Sequence, residues 1–411
     1  MQIRFLFGAA LSFIAAVVAL GNPRLTVTGR VVDSTGNPLS HATVMVYHAG
    51  VKNGYSTFCP SCYEDCGKRT TTDSSGRYTI TKLDGDLWFE LLVVHDGYAP
   101  TFTRVEDLSK GQAPTSVLSL RTVITDPARK VIGRVIDAEG KVVRDAVVKS
   151  EGVETHKSSM IGAIPGLEPL AVTDHDGDFE LVYAKRAKRV LVSVEARTFA
   201  PRFVVLLTAS ERQPIELSKG ATIRGRLVKD GEPVGDAEIG LVARTRGGFG
   251  PRLTIVGTPY PEVRVGTQQD GTFAISDVPT QTEWYVYAKM ESVGSRGSTV
   301  AKLCATTRPE EIVNVGDIPL RPGYSFGGRV VLTDGQSVPD GMRVIITSQR
   351  VWDSQTAILD KGGRFEFSGL SEGRYSIAPA VRGYSLSGGQ YEVEISVEKN
   401  VNDFVISLNP K

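Results

Sequence analysis

The chain has 411 residues, with 47 Lys and Arg against 46 Asp and Glu, for a formal net charge of +1. That balance lacks the basic excess of a general nucleic-acid binder, so no nucleic-acid partner is expected. The length admits two to four domains.

In chain order, the first element is a processing signal. Arg4 supplies a positive start, Phe5 to Val18 a short apolar stretch, and Ala19-Leu20-Gly21 small residues where a signal peptidase reads. Cleavage after Gly21 leaves a chain starting at Asn22, with residues 1–21 as the signal peptide. The apolar run is short for a membrane span. No cysteine lies near the cleavage site, and the chain ends on a strand-like segment, Asp403 to Leu408, without an apolar tail. The expectation is an exported, soluble protein (periplasmic, cell-surface or secreted) with no stable membrane insertion.

Beyond Gly21 the chain repeats itself. Gly29 to Leu39 (GRVVDSTGNPL) returns as Gly133 to Val143, Gly225 to Val234 and Gly328 to Pro339. Each copy is followed by a second element: Thr72 to Ile80 (TDSSGRYTI), Thr173 to Leu181, Thr267 to Ile275 and Leu359 to Phe367. A repeat of roughly 90–105 residues is too long for a solenoid unit and long enough for a small domain with its own core. Four domains are expected, over residues 22–124, 125–219, 220–321 and 322–411, with little chain left for a catalytic unit. Period-two alternation, as in Leu25 to Val31 and Ala42 to Val46, reads as half-buried strands. Asp230-Gly231 and Asp334-Gly335 are hairpin turns, and Gly76, Gly177, Gly271 and Gly363 mark a second turn. Tyr78, Phe179, Phe273 and Phe365 hold one place in their repeats and are expected in the cores. Short strands with frequent turns indicate all-β, Greek-key sandwiches.

The pairing of GRVVDSTGNPLSHATV with TTDSSGRYTI, followed by Val93 to Pro100 (VVHDGYAP), resembles the carboxypeptidase regulatory-like domain. The resemblance implies four tandem transthyretin-like sandwiches of about seven strands each. It is strongest in the first two copies, where Tyr98-Ala99-Pro100 and Phe199-Ala200-Pro201 close the unit. The third puts Gln268 where Asp is expected and Met290 to Gly294 where the aromatic should stand; the fourth keeps Gly383-Tyr384 without the proline. The module resembled is the accessory domain of some carboxypeptidases, and the resemblance implies no peptidase activity.

The first repeat carries an insertion that the others lack: Cys59, Cys62 and Cys66 within Phe58 to Lys68. An exported chain favours a disulfide there, using Cys66 with Cys59 or Cys62. A metal site with His48, Asp65 or His95 as fourth ligand, and a redox Cys-Pro-Ser-Cys, are the alternatives. Cys304 pairs with the odd thiol only if the first and third repeats touch. Trp88, Trp284 and Tyr375 recur at similar places, which points to packing. Exposed, they and the loop residues Trp352 and Tyr63 would instead stack on sugars. In the second repeat, Asp174 to Asp178 is acidic enough to raise calcium, but one residue short of an EF-hand spacing. The basic run Lys185 to Arg189 reads as a hairpin tip, with a polyanion contact as its rival. None of the five histidines forms a zinc-peptidase pair, and no nucleophile elbow, Walker or Rossmann pattern is present.

The expected function is therefore a non-enzymatic scaffold, spacer or adhesin-like binder with no cofactor. Its partner is a protein or polysaccharide of the envelope or extracellular matrix. The divergent loops Thr155 to Leu170 and Thr245 to Val263 are the expected contact surfaces. Short junctions, Thr125 to Lys130 and Leu217 to Ala221, suggest a stiff array. The alternatives are a carbohydrate-binding protein using those aromatics, then a thiol or metal protein centred on the cysteine loop.

Overall fold

A computed structural model of the chain describes residues 24–58, 62–245, 247–249, 253–257, 259–351 and 353–411. The expected signal peptide, Cys59 and Trp352 lie outside the described residues.

The four repeats are four β-sandwiches. In the first, strand Arg24–Asp33 lies between antiparallel Arg77–Asp84 and parallel Ser116–Leu118. The facing sheet runs Arg69–Thr71, Thr43–Val51, Leu87–Val94, Thr101–Val105. The same plan recurs around Lys130–Asp137, Ala221–Lys229 and Tyr324–Leu332, each with an antiparallel and a parallel neighbour, and Ala221–Lys229 also pairs antiparallel with the short Glu232–Pro233. Each sandwich encloses its own apolar core between its two sheets.

The repeated sequence words now have physical causes. Gly29, Gly133 and Gly225 sit directly opposite Tyr78, Phe179 and Phe273 across the strand pair. The ring lies flat over the glycine: a Cβ at Gly133 would stand 2.5 Å from the Phe179 ring, and one at Gly29 2.3 Å from the Tyr78 ring. Only glycine leaves room for the core aromatic to cross the strand there. In the fourth copy Gly328 faces Phe365, and its missing Cβ makes room for the Phe404 carbonyl.

The threonine that opens the second element is buried in three copies. Thr72 Oγ1 accepts the Ala42 N–H (2.9 Å) and donates to the Leu39 carbonyl (2.6 Å). Thr173 does the same with Ala146 N (2.9 Å) and Val143 O (2.8 Å), and Thr267 accepts from Ala237 N (3.1 Å). The hydroxyl thus ties the entry of one sheet to the strand of the other. The next residue makes the turn: Asp73 Oδ1 accepts the N–H groups of Ser75 (2.8 Å) and Arg77 (2.9 Å), and Asp360 those of Gly362 and Arg364 (both 2.8 Å). The turn glycine that follows has φ of +72° to +75° in all four copies.

Candidate functional site

Of the cysteine loop, Cys62 and Cys66 are described, and the bridge expected through Cys66 does not form. Cys66 and Cys304 are not in a disulfide. Cys66 is 2% exposed and belongs to the first core, where burial pushes its thiol up to about 11. Cys304 lies on the strand Lys302–Thr306, opposite Trp284. The three residues considered as a fourth metal ligand are engaged elsewhere. Asp65 is buried between Arg24 (3.1 Å), Lys68 (2.5 Å) and the Asp84 N–H (2.8 Å). His48 Nδ1 meets Glu90 at 3.0 Å, and both His95 ring nitrogens meet backbone carbonyls, of Asp96 at 2.8 Å and Ser40 at 3.0 Å.

The loop reaches out of its own sandwich instead. The Gly266 N–H of the third sandwich donates to the Ser56 carbonyl at 2.5 Å, and Tyr55 covers Gly266 so closely that no Cβ fits there. Cys62 Sγ lies 3.1 Å from Ser276 Oγ, also in the third sandwich. From the second sandwich, the Arg197 guanidinium donates to the Cys66 carbonyl. The insertion is a clip joining the first three sandwiches.

The aromatic platforms are likewise corrected. Trp284 is fully buried, and its Nε1 donates to Thr306 Oγ1 at 3.0 Å; Tyr375 is buried with its hydroxyl on the Ser371 carbonyl at 2.9 Å. Trp88 is half-buried with the Arg104 guanidinium 3.8 Å over its ring, and half-buried Tyr63 meets Phe58 edge-on and Ser56 through its hydroxyl. Trp284 and Tyr375 fall on the inward side of the strand alternation, which is why core packing claims them. In the second repeat, the ligand atoms of Asp174, His175 and Asp176 lie within 4.8 Å of one another and are exposed. Asp174 Oδ1 there accepts the N–H groups of Asp176 and Asp178 at 2.9 Å each, the same turn as Asp73 and Asp360 make without extra acids.

Contacts between sandwiches are extensive. Met45, Leu92 and Val147 form a small core between the first and second, flanked by Tyr47, Val94, Phe102 and Val172. Arg69–Asp145 (2.7 Å) crosses this junction, as does Tyr47, which donates to Glu195 (3.2 Å) beside Lys149 (2.8 Å). Where the first three sandwiches meet, a cleft of about 800 Å³ is lined by Met45, Tyr47, His48, Arg197, Phe199 and Val263, among others. The loop Thr245 to Val263 is partly turned inward here: Leu253 is buried against Gly152, and Tyr260 packs edge-on to Phe203.

The third and fourth sandwiches share a second small core of Val242, Tyr287 and Val351. Beside it, Lys289 Nζ lies 2.7 Å from Asp353 Oδ1 and 2.8 Å from Glu262 Oε1. Asp353 Oδ2 accepts the Met290 N–H (2.7 Å), Tyr287 donates to Glu262, and Arg264 caps Glu262 at 2.6 Å. Lys289 and Asp353 are 5% and 2% exposed, so this is a charge cluster removed from solvent. Burial raises the Asp353 carboxyl, against the pull of Lys289; burial also works on Glu262, but hydrogen bonds from Lys289 and Tyr287 hold it low. Sequence reasoning missed these residues. Their one signal was that Met290 to Gly294 replaces the expected aromatic ending of the third repeat, and this is where Met290 enters the fourth core.

Residues 26–121 match the model of the carboxypeptidase regulatory-like domain family. The first sandwich is thus similar to the carboxypeptidase regulatory-like domain. Residues 322–407, the fourth sandwich, match the second beta sandwich domain of BOS complex subunit NOMO1-like proteins. No curated protein matches the chain. Among solved structures, the Bacillus anthracis TIE protein is 10% identical with a TM-score of 0.20, over 94% of this chain and 75% of that one. A streptococcal ancillary pilin is 12% identical with a TM-score of 0.23 (69% and 99% covered). GBS52, the minor pilin of Streptococcus agalactiae, is 17% identical with a TM-score of 0.24 (47% and 96% covered). Scores this low carry no functional argument. The likeness to the carboxypeptidase regulatory-like domain covers the first module. Among the described residues, no helix is long and apolar enough to cross a membrane.

Proposed function

We propose that the chain is an exported, non-catalytic scaffold of four sandwiches that holds binding loops at fixed separations. The observation that carries this is the filling of the junctions. The cysteine insertion, the Met45–Leu92–Val147 core and the Lys289 cluster all spend buried residues on fixing one sandwich against another. Flexible strings of domains have no need of such contacts.

The partner is a protein of the envelope or extracellular matrix. A glycan reader would need open aromatic faces, and the described candidates are buried or covered. A protein partner is served by the edge strand Ser159–Ile161 in the divergent loop Thr155 to Leu170. Among the described residues it pairs only with Val147–Glu154, and all three of its residues, including Met160 and Ile161, are exposed. Unpaired backbone beside exposed apolar side chains suits strand addition. Co-sedimentation of the purified protein with envelope protein and polysaccharide fractions tests this. Binding to the protein fraction that falls when Ile161 is replaced by Lys is expected. Binding to polysaccharide alone would refute it.

A further inference from the structure

We propose that Lys289 and Asp353 are joined after folding by an amide bond that locks the third sandwich to the fourth. Lys289 directly follows strand Thr282–Ala288 of the third sandwich, and Asp353 precedes strand Ser354–Ile358 of the fourth. The proposal is independent of what the scaffold binds.

Three features set this pair apart from an ordinary ion pair. First, its amine and carboxyl are both almost completely withdrawn from water, where keeping two charges is costly. The 2.7 Å contact is the path by which one proton would pass from nitrogen to the carboxyl as the pair reacts, without exchange with solvent. Burial already pushes the Asp353 carboxyl toward its protonated form. Second, Asp353 Oδ1 receives no properly directed hydrogen bond although Nζ is 2.7 Å away, so the amine is packed against the carboxyl rather than saturating it. Third, the remaining groups stand where the reaction needs them. The Met290 N–H on Oδ2 stabilises the oxygen that gains charge in a tetrahedral intermediate. Glu262 Oε1, 2.8 Å from Nζ, is placed to receive the proton that the amine loses.

The step balances within the site. The Nζ lone pair attacks Cγ of the protonated carboxyl and the C–N bond forms. Glu262 takes a proton from nitrogen and returns it to the departing Oδ1, the C–Oδ1 bond breaks, and one water leaves. No oxidant, reductant or activated donor is consumed. Condensation is unfavourable between free groups in water, but two groups held in contact by a fold react at an effective concentration of about 10⁵ M or more. Water exclusion also slows the reverse hydrolysis.

Intact-mass measurement of the reduced and alkylated protein, after incubation at neutral pH, tests this on the natural chain. A mass lower by one water is expected, with a branched proteolytic peptide joining the segments that carry Lys289 and Asp353. Nicking the exposed turn at Asp334-Gly335 should leave two fragments that stay together in denaturant. Lys289→Arg and Asp353→Ala should restore the full mass. Glu262→Gln should slow the loss of water at least tenfold while the far-UV spectrum stays that of the natural protein. A full mass in the folded natural protein overturns the proposal. So does a water loss that maps to any other residue.

Discussion

Thr173→Val is the cleanest probe of why these sandwiches hold together. The two side chains have nearly the same shape, so no cavity opens, and the change isolates the hydroxyl. Thr173 is 3% exposed, and its Oγ1 serves both the Ala146 N–H (2.9 Å) and the Val143 carbonyl (2.8 Å). Valine leaves one buried donor and one buried acceptor without partners, each costing about 1–3 kcal/mol. The donor pays in full, while the carbonyl keeps a second lone pair, so about 3 kcal/mol is expected in total. With a urea slope of about 2 kcal/mol per M, the second sandwich should unfold roughly 1.5 M earlier. Hydrogen exchange read by mass spectrometry should show the loss in strand Val147–Glu154, which follows Ala146 directly and carries Val147 and Lys149 to the junction with the first sandwich. Thr173→Ser keeps the hydroxyl and should cost only about 1 kcal/mol, the worth of one buried methyl. A Thr173→Val protein within about 0.5 kcal/mol of the natural one, the scatter of a neutral surface change, would refute the account of the repeated threonine.

Gly133→Ala should destabilise the second sandwich by about 1–3 kcal/mol, because the new methyl would stand 2.5 Å from the Phe179 ring; chemical denaturation measures it. With its thiol at about 11, Cys66 has a thiolate fraction at pH 8 on the order of 10⁻³. Iodoacetamide should therefore leave it unmodified in the folded protein and label it after unfolding, and rapid native labelling would contradict its place in the core. We propose that the remaining pair, Cys59 and Cys62, forms the loop's disulfide; differential alkylation with peptide mapping should find these two protected and Cys66 and Cys304 outside any disulfide. Asp33, whose carboxylate is held at about 2 by hydrogen bonds from Thr35 and Asn37, gives a pH signature. Its folded value lies below the ordinary 3.8, so its contribution is full above pH 4 and is lost as pH falls toward 2. Asp33→Asn should flatten stability against pH in that window alone.

Much of the fold was legible because each repeated word answers a local demand. Glycine is required under the aromatic at Gly29 and Gly133, and an aspartate at Asp73 and Asp360 caps its own turn. Those demands recur from copy to copy, so the sequence repeats them. The junctions were not legible, since each is made once. Lys289, Glu262 and Asp353 are far apart in the chain, and nothing in their neighbours' periodicity marks them as meeting. The cysteine insertion was visible as an anomaly, yet its spacing could not show that its contacts lie in other sandwiches. The recurrence of Trp88, Trp284 and Tyr375 pointed to packing, and strand alternation does turn Trp284 inward, which removes it as a sugar platform.

The central claim is that the four sandwiches form one fixed body. Small-angle X-ray scattering of residues 22–411 tests it most directly. A profile that fits the single arrangement described here, unchanged by moderate salt, is the expected result. A profile that only an ensemble of independently oriented sandwiches can fit would contradict the account.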